Sequence, residues 1–375
     1  MPNPKKIAIV SVINDLVTDQ RVNRTCLLLQ ECGYEVLLIG RTKRDSQPLA
    51  PRSYRCKRMR MFFESGPAFY AWFNLRLFFL LLFRQADLLV ANDLDTLWPN
   101  YTVARWKGIR LIYDSHEIFC EVPELQANPS KKRIWERLER SIVPKLDTCL
   151  TVNESIAAYF KERYGRPFAV LRNIPNTIVL PELKTRTDLN LPDQKKIIIL
   201  QGAGINVQRG AEELVQAMAF LPDHYLLLIV GSGDVIGQLK QDATAPQIAG
   251  KVMFVPKQNA AGLKQYTMNA DLGVTIDKDT NLNYHFSLPN KIFDYIHAGI
   301  PVLASRLPEI EKLVEHYRIG VFIDSHEPSH IAAVIRSVLE SPGYAQMKQN
   351  TRLAAAENNW DKEKQVLKAL LGPEA

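Results

Sequence analysis

The chain is 375 residues long and 46% hydrophobic, too long for one ordinary core and too apolar for a disordered or low-complexity protein, so two globular domains are expected. Its formal net charge of +7 is uneven: residues 1–180 carry 27 Lys and Arg against 18 Asp and Glu, the remainder 20 against 22. A basic first half points to an anionic partner, either a membrane surface or a phosphate-bearing acceptor. Without an aromatic-interleaved RNA motif or a helix-turn-helix, nucleic acid is not expected. Cys26, Cys32, Cys56, Cys120 and Cys149 are scattered and form no Cys-x-x-Cys pair. They read as reduced thiols, neither a disulfide frame nor a zinc site. The lead-in Met1–Lys6 passes straight into an apolar strand and lacks the apolar core of a signal peptide, so a cytoplasmic chain is expected.

In chain order, Ile7–Ile13 predicts a strand, Gln20–Cys32 a helix ended by Gly33, and Glu35–Gly40 a second strand. Arg52 to Arg60 then carries five cations and no acid. The apolar run 68–83 follows, broken by Asn74 and Arg76 and shorter than the about 20 residues a span requires. It reads as a core helix, or as a helix half-sunk in a lipid interface beside the basic run. Asp87–Ala91, Arg110–Asp114 and Asp147–Val152 are further apolar runs separated by helical segments, among them Ser130–Lys145 with Ile134, Leu138 and Ile142 on one face. Short continuous apolar runs of this kind suit a parallel sheet buried on both faces, with ligands at its C-terminal strand ends. Two such ends carry polar side chains: Asn92-Asp93-Leu94-Asp95, and Tyr113-Asp114-Ser115-His116-Glu117. His116 could donate a hydrogen bond to a ligand. Asp93 or Asp95 could hold an acceptor hydroxyl, or Asp95 could simply cap the next helix.

From Arg172 to Lys195 the pattern becomes irregular, with Pro175, Pro181 and Pro192, which reads as a linker. A second alternation follows, with strands at Lys196–Gln201, Tyr225–Val230, Val252–Val255, Asp271–Thr275, Pro301–Ala304 and Gly320–Ile323. The fold class is therefore α/β: two Rossmann-like domains facing across a cleft. The expected divisions are 1–173, a linker at 174–195, 196–355, and a C-terminal helix at 356–375 that packs back toward the first domain.

Phosphate-binding chemistry concentrates in the second half. The first strand there ends in Gly202-Ala203-Gly204, and Arg209 precedes the next helix; the glycines permit close backbone approach and Arg209 supplies a permanent planar cation. The next strand runs into Gly231-Ser232-Gly233-Asp234, which is either a nucleotide-side loop or a plain turn. Further on, Ser287 to Val302 predicts a helix opened by Pro289 and stopped at Gly299-Ile300-Pro301. Its first turn holds Asn290 and Lys291, and free N–H groups there favour phosphate. Asp294, one turn later, could accept from a ribose diol.

The segment Asp294…Gly299-Ile300-Pro301-Val302 resembles the second half of the signature of retaining glycosyltransferases of family 4, of the bacterial cell-surface polysaccharide type, which have the GT-B fold. Their pattern is Glu-x7-Glu followed by Ala-x-x-x-Gly-x-Pro-Val. The second acid maps onto Asp294; the first, which usually touches the donor sugar, falls on Phe286. Gly202 and Arg209 match the family's Gly-Arg…Lys-Gly loop, with Ala203 where the Arg usually lies and Arg209 in place of the Lys. The Gly231-x-Gly233 pair and Val255 match positions close to the nucleotide and its base. His116 and Glu117 match a His-Glu position near the donor sugar. The opening Asp19-Gln20-Arg21-Val22 resembles an Asp-x-Arg-Val start in which Arg21 and Arg24 could meet a diphosphate-linked acceptor.

The resemblance implies a metal-independent transferase that moves a sugar from a nucleotide-diphosphate sugar to an acceptor hydroxyl with retention, in cell-surface glycan synthesis, without a bound cofactor. Arg209, Lys291 and His116 would be the catalytic side chains. Donor contacts would come from Gly202, Gly204, Gly231, Gly233, Val255, Pro289, Asn290 and Asp294; Arg21, Asp93, Asp95 and Glu117 would lie on the acceptor side. The partners implied are the nucleotide sugar, a glycan or lipid-linked acceptor, and an anionic membrane surface met through 52–83 on the inner face of the plasma membrane. The alternatives are an epimerase or hydrolase of the same fold, or a sugar-nucleotide-binding protein without catalysis.

Overall fold

The computed structural model describes residues 6–17 and 19–372. Residues 1–5 of the lead-in, Thr18 of the first loop and residues 373–375 lie outside the described residues. The chain forms two compact units. One is Met1–Asn173 with Lys364–Ala375, the other Ile174–Glu363.

The first unit is built on a seven-stranded sheet in the order β3-β2-β1-β4-β5-β6-β7, every pairing parallel. The strands are β1 (Ile7–Asp15), β2 (Glu35–Thr42), β3 (Arg55–Arg60), β4 (Leu88–Asn92), β5 (Arg110–Ser115), β6 (Thr148–Thr151) and β7 (Ala169–Val170). One face is covered by the helix Gly66–Leu82. Its Phe69, Phe73, Leu77 and Leu81, each four residues apart, pack on Ile9, Leu37, Ile39 and Leu89. The basic run thus ends in a strand, β3. It survives as one because it is an edge strand, where cationic side chains reach solvent and discourage further pairing. The helix predicted at Ser130–Lys145 runs over Pro129–Ile142 and turns differently from expectation. Ile134 is 69% exposed, while Glu139 is fully buried and accepts from the Tyr164 hydroxyl. At the other end of the chain, the helix Trp360–Leu371 returns to this unit. The Arg110 guanidinium donates to the carbonyls of Leu370 and, at 2.9 Å, Leu371, satisfying acceptors that a helix end leaves open.

The second unit has a six-stranded sheet, β10-β9-β8-β11-β12-β13, again parallel at each pairing. Its strands are β8 (Lys196–Gly202), β9 (Tyr225–Gly231), β10 (Val252–Pro256), β11 (Leu272–Thr275), β12 (Val302–Ser305) and β13 (Gly320–Ile323). Alternate residues serve alternate cores. Ile198, Leu200, Leu227 and Val274 face one layer of helices, and Ile197, Ile199, Leu228 and Val302 the other. With both faces occupied by apolar side chains, polar chemistry is left to the strand ends. In each unit the strand order reverses beside the first strand, between β1 and β4 and between β8 and β11. Ligands of open α/β sheets bind at such a switch point. Among the described residues no helix is long and apolar enough to cross a membrane.

The loops after β8 and β9 are pressed together mainly through main chain, and the Asn206 side chain adds one bond, accepting from Asp234 N–H at 3.3 Å. Ser232 N–H donates to Gly202 O and Ile205 N–H to Ser232 O, both at 3.0 Å. A β-carbon on Gly233 would overlap the Ile205 carbonyl, whereas one on Gly237 would meet nothing. Gly233→Ala is therefore expected to lower the unfolding free energy by about 1–3 kcal/mol. Gly237→Ala, inside a helix, should leave it unchanged or raise it by up to about 1 kcal/mol. Urea denaturation of the two variants checks the contrast.

Candidate functional site

In the second unit the predicted residues gather at the C-terminal ends of β8 and β11. The helix Asn290–Ala298 starts one residue later than the sequence suggested: Pro289 is its cap (φ −66°, ψ 139°), outside the first turn. No side chain caps that turn, which carries exposed Asn290 and half-buried Lys291; of its N–H groups, that of Ile292 donates to Pro289 O at 3.1 Å. Gly299 ends the helix in the left-handed conformation, φ 77°. Asp294 is tied to the end of β8: Gln201 Nε2 donates to its Oδ2 at 3.0 Å, and Gln201 Oε1 accepts from Thr267 Oγ1 at 2.7 Å.

Arg209 is held by its neighbours' backbone. Gln208 and Gly210, on either side, both have positive φ (66° and 73°). A β-carbon at 210 would overlap the Ile276 carbonyl, and Lys278 N–H donates to Gln208 O at 3.0 Å. A non-glycine residue in the left-handed region is strained and persists where packing dictates it. The guanidinium so placed lies 5.0 Å over the Tyr284 ring, with Nη1 3.4 Å from Asp277 Oδ2. Asp277 is fully buried, and its Oδ1 has no hydrogen-bond partner. Burial pushes the Lys291 ammonium below its usual range; Asp277 opposes that shift and Arg209 adds to it. Two cations thus share one carboxylate beside an open helix start, an arrangement suited to an oxyanion.

Gly202 and Gly204 leave open space where side chains would be. Gly231 and Gly233 instead serve the contact between the two loops, since a β-carbon on either would overlap backbone of the first loop. Val255 is half-buried in the edge strand β10, two strands from β8. Asp277, Gln201 and Tyr284 are additions that sequence reasoning missed. An Asp two residues past the apolar strand β11 was the one signal available for Asp277.

The first unit gathers its polar residues differently. Arg21, read from sequence as an acceptor-side cation, is an interior brace, 4% exposed. Its Nε and Nη2 donate to both oxygens of Asp114 (3.0 and 2.7 Å) and its Nη1 to Leu171 O (2.7 Å). The neighbouring Arg24 is also buried, against Asn173. His116 lies between two acids, Nδ1 3.2 Å from Asp93 Oδ2 and Nε2 3.4 Å from Asp114 Oδ2, and its main-chain N–H donates to Asp93 Oδ1 at 2.8 Å. Asp93 supports this with a strained backbone, φ 60° and ψ 166°. Burial disfavours the charged imidazole, but Asp93 and Asp114 outweigh it and raise His116 to about 9. Burial would also raise Asp114, yet Arg21 and His116 hold it well below the carboxylate range. Asp95 is buried with one oxygen unpaired; burial and the charges of Asp93 and Glu117 push it well up, toward a neutral acid. Glu117 is exposed. His116 is therefore a held imidazolium whose ring nitrogens both face carboxylates, and what it offers outward is charge.

Comparison with known proteins gives this geometry a context. Residues 20–180 match the family model Glycosyltransferase Family 4, and residues 182–358 match Glycosyl transferases group 1. Over 259 residues the chain is 24% identical to a chitobiosyldiphosphodolichol beta-mannosyltransferase of Candida glabrata, covering 60% of this chain and 56% of that protein. The chain spans about half the length of the curated relatives it matches. A sucrose-phosphate synthase from Thermosynechococcus elongatus aligns with a TM-score of 0.79 at 18% identity over 98% of both chains. Anabaena HepE, solved with UDP-glucose, aligns at 0.72 and 16% identity over 98% of this chain and 100% of that one. At these identities the two structures establish the shared GT-B fold.

The His116 cluster makes stability depend on pH. A folded-state value near 9 lies above the unfolded imidazole's 6.5, so the stabilisation is complete below about pH 6.5 and lost as pH rises through about 9. Urea titrations should show unfolding free energy declining across that window. The decline should be absent in His116→Gln.

Proposed function

The chain belongs to the family 4 and group 1 glycosyltransferases, and from that membership we propose that it moves a sugar from a nucleotide-diphosphate sugar to an acceptor hydroxyl. The observation that carries the donor side is the convergence of Arg209, Lys291 and the uncapped helix start at Pro289 around the end of β8. A departing diphosphate would meet fixed charge there, so no metal is required for its stabilisation. Asp294, oriented by Gln201, would take the ribose hydroxyls, and the open side of Gly202 and Gly204 would admit the phosphates. A fold relative solved with UDP-glucose supports a nucleotide-sugar donor.

Retention is part of the proposal and rests on the signature carried by Asp294 and Gly299-Ile300-Pro301-Val302. No protein base is assigned: the leaving phosphate would take the acceptor proton. His116, as an imidazolium, would contribute charge, while Asp93 and exposed Glu117 would be the acceptor-side carboxylates. Phe286 and Ala203, standing where the signature expects an acid and a cation, favour one other reading, a protein that binds nucleotide sugar without transfer. Tight donor binding with neither transfer nor hydrolysis across an acceptor panel would establish it.

For the acceptor we propose a lipid-linked glycan in cell-surface glycan synthesis, met at an anionic membrane surface. A curated relative is named for a dolichol-diphosphate-linked acceptor. The helix Gly66–Leu82 leaves Leu75 and Phe79 exposed, and Phe83 just beyond it is 81% exposed. Lys57, Arg76 and Arg84 line the same groove as Phe79 and Phe83. Exposed rings beside cations suit the headgroup region of an anionic bilayer.

Two measurements test this reading. Arg209→Ala should still fold, with a lowered melting temperature because buried Asp277 loses its cation, and lose turnover by about a hundredfold or more, roughly 3 kcal/mol of barrier; wild-type turnover would sink the donor-site assignment, and the anomer of the wild-type product reports on retention. In vesicle sedimentation, binding to phosphatidylglycerol-containing vesicles should fall at least about a hundredfold in Phe79→Ser/Phe83→Ser, since each buried ring contributes about 1.5–3 kcal/mol. Equal binding by the wild type and this variant would remove the membrane surface.

A further inference from the structure

We propose that Asp277 is a positioning residue of the donor site, a resident carboxylate that holds Arg209 and Lys291 together as a pair of cations. The inference rests on the donor-site reading and goes beyond it, because it gives a task to a group outside the set that would touch the diphosphate.

Asp277 follows β11, which lies next to β8 in the sheet although 69 residues separate Gly202 from Asp271 in sequence. The side chain is fully buried. A buried carboxylate is costly unless paired with a cation and hydrogen-bonded. Here Oδ2 is 3.4 Å from Arg209, and Oδ1 has no hydrogen-bond partner. Removing Asp277 from the ion pair would also leave Arg209 Nε, itself buried and unpartnered, with less to hold it.

The segments that carry the two groups are fastened to each other. Gly210 packs on the Ile276 carbonyl, Lys278 N–H donates to Gln208 O, and the Lys278 ammonium meets Glu213. The loop that aims Arg209 and the strand end that carries Asp277 are therefore one piece of structure. A carboxylate fixed this way has little freedom to swing aside when a phosphate arrives, so it stays beside the cations in the loaded site as well.

Lys291 is the group that shows the effect. Arg209, from the loop 206–210, and Asp277, just past the end of β11, both act on its charge, and they are held 3.4 Å apart. On its own helix, Asp294 is engaged with Gln201 and lies within electrostatic reach of Lys264. Of these groups, Asp277 opposes the combined push of burial and Arg209 toward a neutral amine. Neutralising Asp277 must lower the pH at which Lys291 loses its proton, and neutralising Arg209 must raise it.

The experiment titrates Lys291 directly, by NMR of full-length protein labelled with 13Cε-lysine and assigned by loss of the signal in Lys291→Arg. Asp277→Asn is expected to lower the Lys291 midpoint by at least about one pH unit, and Arg209→Met to raise it. UDP affinity, by calorimetry, should fall more steeply between neutral and alkaline pH in Asp277→Asn than in wild type. That difference should vanish in the Lys291→Arg background, where the side chain does not titrate. An unmoved midpoint in a folded Asp277→Asn protein, or an equal loss of UDP affinity at every pH, overturns the proposal. If Asp277→Asn does not fold, an unmoved midpoint in Arg209→Met overturns it instead. Wild-type protein that binds neither UDP nor GDP refutes the donor-site reading whatever Lys291 does. Normal UDP binding with an unmoved midpoint refutes the Asp277 role alone.

Discussion

Both sheets are parallel and covered on both faces, and this constraint organises the molecule. Apart from the basic edge strand β3, the strand interiors are apolar because side chains there meet a helix layer, so ionisable groups have room mainly where strands stop. The strand ends of the second unit accordingly collect Gln201, Gly202, Arg209 and Asp277, and those of the first collect Asp93, Asp114 and His116. Where the strand order reverses, the loops diverge and leave a gap that no neighbouring crossover fills. Arg209 and Asp277 flank that point in the second unit, and Asp93 lies beside it in the first.

The two strand-end clusters balance charge in opposite ways. In the first unit, Arg21 and the protonated His116 meet Asp93 and Asp114, so the cations are consumed internally. In the second, Arg209 and Lys291 face one buried acid, which leaves positive charge unspent. A self-balanced cluster is rigid and presents groups already oriented by one another. An unbalanced one has its largest favourable interaction still to make, and it favours whatever anion reaches it. The overall charge of the halves runs the other way, since the surplus of Lys and Arg is in residues 1–180. Local compensation, not regional net charge, distinguishes the two clusters.

Most of the architecture was legible in the sequence. Continuous apolar runs gave the strands, and Gly299-Ile300-Pro301 gave the end of the site helix, because local sterics decide both. What escaped was set by residues far apart in the chain. Arg21 reads as a free cation until Asp114, 93 residues away, takes its guanidinium. Asp277 reads as an ordinary loop acid until the strand order puts β11 beside β8. Glu139 sits one residue from the apolar face the spacing predicted, and only the Tyr164 hydroxyl makes its burial tolerable. The strand β3 carries no apolar alternation because it needs none at a sheet edge. In the site helix the pattern showed the helix start and Lys291, but not that Gln201 would orient Asp294.

The return of the last helix to the first unit has a bearing on how the protein comes into being. Arg110 donates to the carbonyls of Leu370 and Leu371, and Lys364 and Lys368 lie 3.7 Å from Glu31. These contacts join residues made early on the ribosome to residues made after the whole of Ile174–Glu363. The second unit is contiguous and can fold as soon as it emerges. The first stays unfinished until translation passes Leu371, with part of its surface uncovered in the interval. The unit synthesised first is thus the one completed last.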